Sequence, residues 1–351
     1  MSIFVTPRAS ILLRPEVLDT DYIPDSLPHR EAQMKDIAST ISYALESGRA
    51  SNVFVVGPPG TGKTASIRYI LRELSSYSPL TFQTYVNCWV YRTRYSIISF
   101  LAKELRIPVP RRGVAPDEAY DRIFSKLNDF RGAVIVLDEI DRLSRESSEV
   151  LYDFSRLHEF LEIPTVIITI ANDDSFVYRL DPRIYSTLFS RKIEYAPYTV
   201  PQLKDILRER AKIALADGSY DDNILGLCAA IGWKRGGDAR AAISCLYEAA
   251  VLAEREGADR ITPEHVRRVS SSIPSARHEN LDPKYVPIVD ILREKGELTV
   301  RELYEIYTDR VEKITLRAFR NYLRELEALG IIEMRRLNVR GYVRAVRLKQ
   351  P

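Results

Sequence analysis

Cysteine and long apolar runs are scarce in this sequence. Its three cysteines, Cys88, Cys228 and Cys245, form no CxxC pair, and no histidine cluster accompanies them, so neither a disulfide framework nor a zinc site is indicated. We expect these cysteines to be buried apolar residues. No run of about eighteen apolar residues occurs, and the N-terminus lacks the basic and apolar segments of a secretion signal. These absences favour a cytoplasmic protein.

Charge is unevenly distributed along the 351 residues, whose formal net charge is +3. Residues 284–351 hold 15 Lys and Arg against 10 Asp and Glu, a net charge of +5, which leaves −2 for the preceding residues. A basic C-terminal region suggests a polyanionic partner, although a surplus of this size is also common on an ordinary solvated surface. The length and the 45% hydrophobic content indicate a globular protein of two or three domains.

Residues 1–198 have the pattern of an α/β domain. Short apolar runs at 52–56, 134–137 and 165–170 are separated by helical patterns, which predicts buried strands of a parallel sheet joined by helical crossovers. An amphipathic helix is predicted over 29–47, between Pro28 and Gly48, because proline favours helix starts and glycine favours helix ends.

Two further domains follow, the first of them helical. Helical periods at 202–215, 222–231, 238–256 and 263–272 predict a domain over residues 199–275, followed by a proline-containing linker. Residues 284–351 contain three helical patterns and two strand-like runs, 331–337 and 342–348, around a basic turn. Helices followed by a two-stranded hairpin predict a winged-helix domain.

A P-loop pattern joins the first predicted strand to the next helix, and it reads Gly57-Pro58-Pro59-Gly60-Thr61-Gly62-Lys63-Thr64. The glycines allow backbone N–H groups to surround phosphates at the start of a helix, here near Ala65. Lys63 is expected to contact the β- and γ-phosphates, and Thr64 to ligate magnesium. The pattern therefore predicts ATP or ADP with Mg²⁺ as the bound cofactors.

Polar residues at the ends of two later strands suggest the remaining catalytic groups. Asp138 and Glu139 follow one strand, where Asp138 is expected to hold magnesium and Glu139 to act as general base. Asn172 follows the next strand and is expected to sense the γ-phosphate or orient water. Arg240 opens a later helix and is expected to reach the phosphates. Taken alone, each of these residues also fits an ordinary turn, cap or surface position.

The order of these motifs resembles AAA+ ATPases, and nearly the whole chain resembles archaeal replication initiators of the origin-recognition/cell-division-control family. Further matches include Tyr22-Ile23-Pro24, Leu27-Pro28-His29-Arg30-Glu31, Leu180-Asp181-Pro182-Arg183-Ile184 and Pro197-Tyr198. The resemblance implies that Tyr22, Ile23 and Tyr198 bind the nucleotide, with the first two beside the adenine. It also implies a weak ATPase that binds double-stranded origin DNA, helps load the replicative helicase, and associates with the nucleoid, with a paralogous initiator as a further partner.

One departure from related AAA+ proteins concerns the arginine finger. The expected Ser-Arg pair is replaced by Ser186-Thr187, which leaves Arg183 and Arg191 as alternatives. Slow hydrolysis by a monomer is therefore the expectation.

DNA-binding candidates lie in two regions. Between the P-loop and Asp138, helices are predicted at 95–106 and 116–129, and the basic loop between them holds Arg111 and Arg112, which fit DNA contacts and an ordinary solvated loop equally well. In the winged helix, Leu316, Phe319, Leu323 and Leu326 predict a buried face that leaves a polar face for DNA. The residues of that face and of the wing tip are Arg317, Arg320, Asn321, Arg324, Arg340 and Gly341, with Arg335, Arg336 and Arg344 on the wing strands.

Two alternatives share this architecture. A nucleotide-switched transcription regulator would bind promoters in place of origins. An ATPase that remodels a protein partner would use the winged helix as a docking module and show no preference for a DNA sequence.

Overall fold

A computed structural model of the protein describes residues 10–107, 116–143, 149–175, 177, 180–270, 284–328, 331–336 and 344–348. The chain divides into two units, Met1–Ile273 and Pro274–Pro351. Cys88, Cys228 and Cys245 are all buried, as expected from the sequence. Among the described helices, none combines the length and apolar character needed to cross a membrane.

In the described part of the first unit, five parallel strands form one sheet in the order β2-β3-β4-β1-β5. The strands are β1 (Ser51–Val56), β2 (Thr81–Asn87), β3 (Gly132–Asp138), β4 (Thr165–Ala171) and β5 (Lys192–Glu194). β3 and β4 are buried along their whole length, which explains their continuous apolar sequences. The parallel α/β fold predicted from the sequence is confirmed; β2 and β5 were missed, since β2 is interrupted by polar residues and β5 has three residues.

Helices cover both faces of this sheet. The bounds are α1 (Glu31–Ser47), α2 (Lys63–Tyr77), α3 (Arg94–Glu104), α4 (Pro116–Leu127), α5 (Glu149–Ser155), α6 (Leu157–Phe160) and α7 (Pro182–Leu188). Alternate β1 residues enter two cores: Val53 and Val55 pack with α1 and α2, whereas Phe54 and Val56 pack with α3 to α7. The carboxyl ends of β1, β3 and β4 therefore share one edge, where ligands gather in sheets of this kind.

A helical layer completes the first unit. It contains α8 (Val200–Ala214), α9 (Asp222–Lys234), α10 (Ala239–Arg255) and α11 (Pro263–Ser270). The N-terminal segment was expected in the α/β domain, but Ile11, Val17 and Leu18 belong to the core of this helical layer. Backbone bonds hold the segment there, including Leu13 N–H to Ala214 O at 2.8 Å. The division of the unit after residue 198 stays a prediction.

The second unit combines three helices with a small antiparallel sheet in its described residues. Their bounds are α12 (Val286–Lys295), α13 (Val300–Arg310), α14 (Leu316–Ala328), β6 (Leu298–Thr299), β7 (Ile332–Arg336) and β8 (Arg344–Leu348), with strand order β6-β8-β7. Helix α14 followed by the β7–β8 pair is the arrangement of a winged helix. The two-residue strand β6 was not predicted, because so short a strand has no period of its own.

Candidate nucleotide-binding site

The loop between β1 and α2 has a backbone that requires glycine. Gly60 has φ +72°, and a Cβ there would lie 1.8 Å from Asp238 Oδ1. Gly62 has φ +88° and precedes Lys63, the first residue of α2. The helix begins at Lys63 rather than near Ala65, because Ser66 N–H already donates to Gly62 O at 2.9 Å. The loop thus points directly into a helix N-terminus, which suits an anion.

Lys63 is a buried cation at the centre of this loop, 6% exposed. Its Nζ donates to Gly57 O at 2.5 Å, Pro58 O at 2.8 Å and Asn172 Oδ1 at 3.1 Å. Among the described residues these acceptors are neutral, and burial lowers the pKa of Lys63 to about 8, with Asp138 opposing the shift. A buried ammonium held by neutral oxygens favours an anionic ligand such as a phosphate.

Asp138 and Thr64, the predicted magnesium residues, are in direct contact. Thr64 Oγ1 donates to Asp138 Oδ2 at 2.8 Å, and Glu139 N–H donates to Asp138 Oδ1 at 2.7 Å. The Tyr85 hydroxyl also donates to Asp138 Oδ2. Across the described ranges, no group of three or more His, Cys, Asp or Glu side chains is arranged for a metal. A Mg²⁺ ion here would accordingly need phosphate and water oxygens beside these two.

Glu139 adopts a left-handed backbone conformation, with φ 56° and ψ 41°. Such a conformation in a residue other than glycine is strained and is frequent at functional sites. Burial raises the pKa of the Glu139 carboxyl, and the neighbouring charges of Asp138 and Asp141 raise it further. A carboxyl whose pKa is shifted upward is a better proton acceptor at neutral pH than an ordinary one.

Asp141 was not singled out from the sequence, although it lies in the same site. Its Oδ1 accepts the backbone N–H of Asn172 at 3.3 Å, and burial raises its pKa. This bond fixes the backbone that presents the Asn172 side chain to Lys63. The only sequence signal for Asp141 was its position three residues after Asp138.

Arg30 connects the P-loop to the start of the helical layer. It is 3% exposed, and it donates from Nε to Thr61 O at 2.8 Å and from Nη2 to Ala196 O at 2.6 Å. Its guanidinium carbon lies 3.9 Å from the ring centroid of buried Tyr198, a cation–π contact. The sequence placed Arg30 only within a family motif, because Thr61, Ala196 and Tyr198 are remote from it in the chain.

The remaining residues predicted to bind nucleotide differ in their exposure and contacts. The charge of Arg240 adds to the lowering of the Lys63 pKa and opposes the raising of the Glu139 pKa, so Arg240 lies near both groups. Tyr22 is partly buried under Arg210, whose guanidinium carbon is 4.8 Å from the ring centroid. Pro58 is exposed and Thr61 is buried, and three others, Ile23, Pro59 and Ala65, are partly buried. Their contacts with a nucleotide stay predictions.

The two arginine-finger alternatives are both on the surface. Arg183 pairs with Asp181 at 3.0 Å, with 76% of its side chain exposed, and Arg191 pairs with Asp36. Because both arginines are exposed and paired with an aspartate, these contacts do not distinguish which of them would act as an arginine finger.

In the second unit, α14 presents the predicted polar face. Phe319, Leu323 and Leu326 are buried, but Leu316 is exposed, contrary to its assignment to the buried face, because the helix begins there. The residues on the exposed face are Arg317, Arg320, Asn321 and Arg324. Their DNA contacts stay a prediction.

The wing strands are less basic than their sequence suggested. Arg335 and Arg347 both pair with Glu333, each at 2.9 Å, so the charge of Arg335 is partly neutralised. Arg344 is exposed. The side chain of Arg336 and four other predicted DNA residues, Arg111, Arg112, Arg340 and Gly341, lie outside the described residues.

Comparison with known proteins identifies two matching family models. The family described as an AAA domain matches residues 46–173, and the Cdc6 AAA+ ATPase-type lid domain matches residues 204–271. An ORC1-type DNA replication protein of Desulfurococcus amylolyticus is 34% identical over 339 residues, which cover 90% of this chain and 86% of the relative.

Two solved structures are similar over almost the full chain. The ORC1 protein of Aeropyrum pernix in complex with DNA has a TM-score of 0.81 and 33% identity, covering 98% of this chain and 95% of that one. Cdc6p of Pyrobaculum aerophilum has a TM-score of 0.70 and 28% identity, covering 97% and 94%.

Proposed function

The chain belongs to the ORC1/Cdc6-type family of DNA replication initiators, and on this basis we propose that it binds double-stranded origin DNA in an ATP-linked manner and helps load the replicative helicase. The observation that carries the nucleotide part is the buried Lys63 ammonium beside Thr64, Asp138 and Asn172. Asp138 and Asn172 lie at the ends of the neighbouring strands β3 and β4, and Lys63 and Thr64 begin α2. Their charges and donors suit a nucleotide phosphate with its magnesium ion.

The nucleotide site is proposed to retain ATP or ADP and to hydrolyse ATP slowly. Lys63 and the loop amides bind the phosphates, Thr64 and Asp138 hold Mg²⁺, and Arg240 adds positive charge from the helical layer. Bound magnesium would neutralise charge that develops on the transferred phosphoryl group. Glu139 accepts the proton of the attacking water, a role to which its raised pKa is suited, and Asn172 orients that water.

Duplex DNA is proposed to bind the second unit through α14. Exposed arginines on one helix face fit phosphate contacts and guanine edges, and exposed Asn321 fits adenine. The DNA complex of the similar A. pernix protein supports DNA binding by this chain. The wing residues Arg340 and Gly341 and the loop arginines Arg111 and Arg112 are retained as further contacts, and a paralogous initiator as a further partner.

Footprinting on the organism's own genomic fragments with ATP, with ADP and without nucleotide tests this function. We expect protected sites at replication origins, with nanomolar affinity that falls steeply as salt rises. Protection at promoters in place of origins would indicate a transcription regulator. Binding with no sequence preference would indicate a remodeller of protein partners.

A further inference from the structure

The side chain of Tyr85, a residue of β2, packs against the first two turns of α2. Tyr85 pairs in register with Val136 of β3, two positions before Asp138. Because side chains alternate along a strand, Tyr85 and Asp138 both face α2. That helix presents Thr64 and, one turn later, Arg68 to the same place. The Arg68 guanidinium carbon lies 4.9 Å from the centroid of the Tyr85 ring.

The Asp138 carboxylate is held by donors at both oxygens. Oδ1 accepts Glu139 N–H at 2.7 Å, while Oδ2 accepts Thr64 Oγ1 at 2.8 Å and also the Tyr85 hydroxyl. Thr64 belongs to the P-loop, and the Glu139 amide belongs to the Asp138-Glu139 pair. Among the described residues, Tyr85 donates from outside both motifs, and it lies on β2, a strand that was not expected from the sequence.

We propose that Tyr85 is a positioning residue for magnesium: its hydroxyl fixes the Asp138 carboxylate in the orientation in which Thr64 and Asp138 together receive the ion. This inference rests on the proposed nucleotide function. Asp138 is only 3% exposed, so without the phenol one lone pair of a buried carboxylate would lose its partner, which is costly. The positive charge of Arg68 over the ring makes the phenol a stronger donor.

Tyr85→Phe removes the hydroxyl and keeps the ring that contacts Arg68. The measurement is the affinity of a fluorescent ADP analogue at a series of Mg²⁺ concentrations and in EDTA. We expect the half-saturating Mg²⁺ concentration to rise about tenfold, the value for one hydrogen bond to a charged group. Affinity in EDTA should stay within about twofold, because the phosphate contacts of Lys63 and the loop amides are unchanged.

Tyr69→Phe is the matched control, since it removes the hydroxyl of another α2-associated tyrosine, whose ring lines a surface groove and lies 5.0 Å from the guanidinium carbon of Arg72. It should leave the Mg²⁺ requirement unchanged. A double variant, Tyr85→Phe with Asp138→Asn, should behave like Asp138→Asn alone, because Tyr85 acts through that carboxylate. Additive losses would indicate a general structural role and overturn the proposal.

A wild-type Mg²⁺ requirement in folded Tyr85→Phe would overturn the inference and leave the proposed function intact. Absence of Mg²⁺-dependent nucleotide binding in the wild-type protein would overturn both. Thermal unfolding in EDTA reports on folding. If Tyr85→Phe does not fold, Arg68→Met carries the test: it keeps the hydroxyl but removes the charge over the ring, and should raise the Mg²⁺ requirement about twofold, whereas no change would overturn the inference.

Discussion

The carboxylate of Asp238 lies directly against the α-carbon of Gly60. A Cβ on Gly60 would meet Asp238 Oδ1 at 1.8 Å, and the next residue, Ala239, donates its N–H to Gly60 O at 3.0 Å. Asp238 also caps α10 through the amides of Arg240 and Ala241. One carboxylate therefore joins the P-loop to the helix that carries Arg240, so the loop and the helical layer cannot move independently without breaking this contact.

Gly60→Ala should disrupt this contact. The new methyl group would displace Asp238 and would also strain a backbone with φ +72°, so we expect a loss of about 2 kcal/mol in the free energy of unfolding and at least about tenfold weaker nucleotide binding. Urea unfolding and fluorescent ADP binding measure the two effects. Gly48→Ala is the control, because Gly48 has φ +71° with no neighbour within 4 Å of its Cβ position among the described atoms. Gly48→Ala should lose about 1 kcal/mol in the free energy of unfolding and bind nucleotide normally. If Gly60→Ala bound nucleotide as tightly as Gly48→Ala, the contact between Gly60 and Asp238 would not be coupled to nucleotide binding.

Nucleotide affinity should depend on pH through Lys63. Burial lowers the pKa of Lys63 to about 8 in the protein without nucleotide. The ammonium therefore loses its proton above pH 8 in that state, whereas bound phosphates favour the charged form. Affinity should therefore be constant below pH 8 and fall up to about tenfold per pH unit above it. Titrations in EDTA between pH 7 and 9.5 measure this. Lys63→Met should bind nucleotide weakly, and its affinity should not depend on pH in this range. If that variant showed the same fall in affinity above pH 8, the pH dependence would belong to another group.

Glu139→Gln should separate nucleotide binding from hydrolysis. The amide keeps the size of the side chain but cannot accept a proton, so turnover should fall at least about 100-fold while nucleotide affinity stays within about twofold. Phosphate release and fluorescent ADP binding give the two values. Glu104→Gln, at an exposed position of α3, serves as the control. Normal turnover by Glu139→Gln would remove Glu139 as the base.

Arg320→Ala should weaken binding to duplex DNA. If Arg320 contacts one phosphate, affinity should fall about 5- to 10-fold at moderate salt, and the slope of log affinity against log salt should decrease in magnitude by about 1. Fluorescence anisotropy at several salt concentrations measures both. Arg301→Ala on α13 is the matched control, an exposed arginine paired with Glu305 at 3.0 Å. An unchanged salt slope for Arg320→Ala would exclude a phosphate contact by Arg320.

Local patterns were sufficient wherever a structure depends on neighbouring residues. The P-loop, the helix ended by Gly48, and the strands carrying Asp138 and preceding Asn172 were all predicted. Prediction failed for Leu316, exposed at the first turn of α14, and for the N-terminal segment, whose apolar residues Ile11 and Val17 could pack against either layer of the first unit. Nothing in a local period tells which of two apolar surfaces such a segment covers.

The amino-acid sequence by itself determined the phosphate loop, since its glycines permit positive φ and the residues after Gly62 form a helix. Only the tertiary structure decided which distant side chains meet that loop. Tyr85 reaches Asp138 through the register of β2 with β3, Asp238 reaches Gly60 through the packing of α10, and Arg30 joins Thr61 to Ala196. The physical reason is that loop and helix conformation depends on local dihedral angles and hydrogen bonds, whereas these contacts depend on how separate elements share one core.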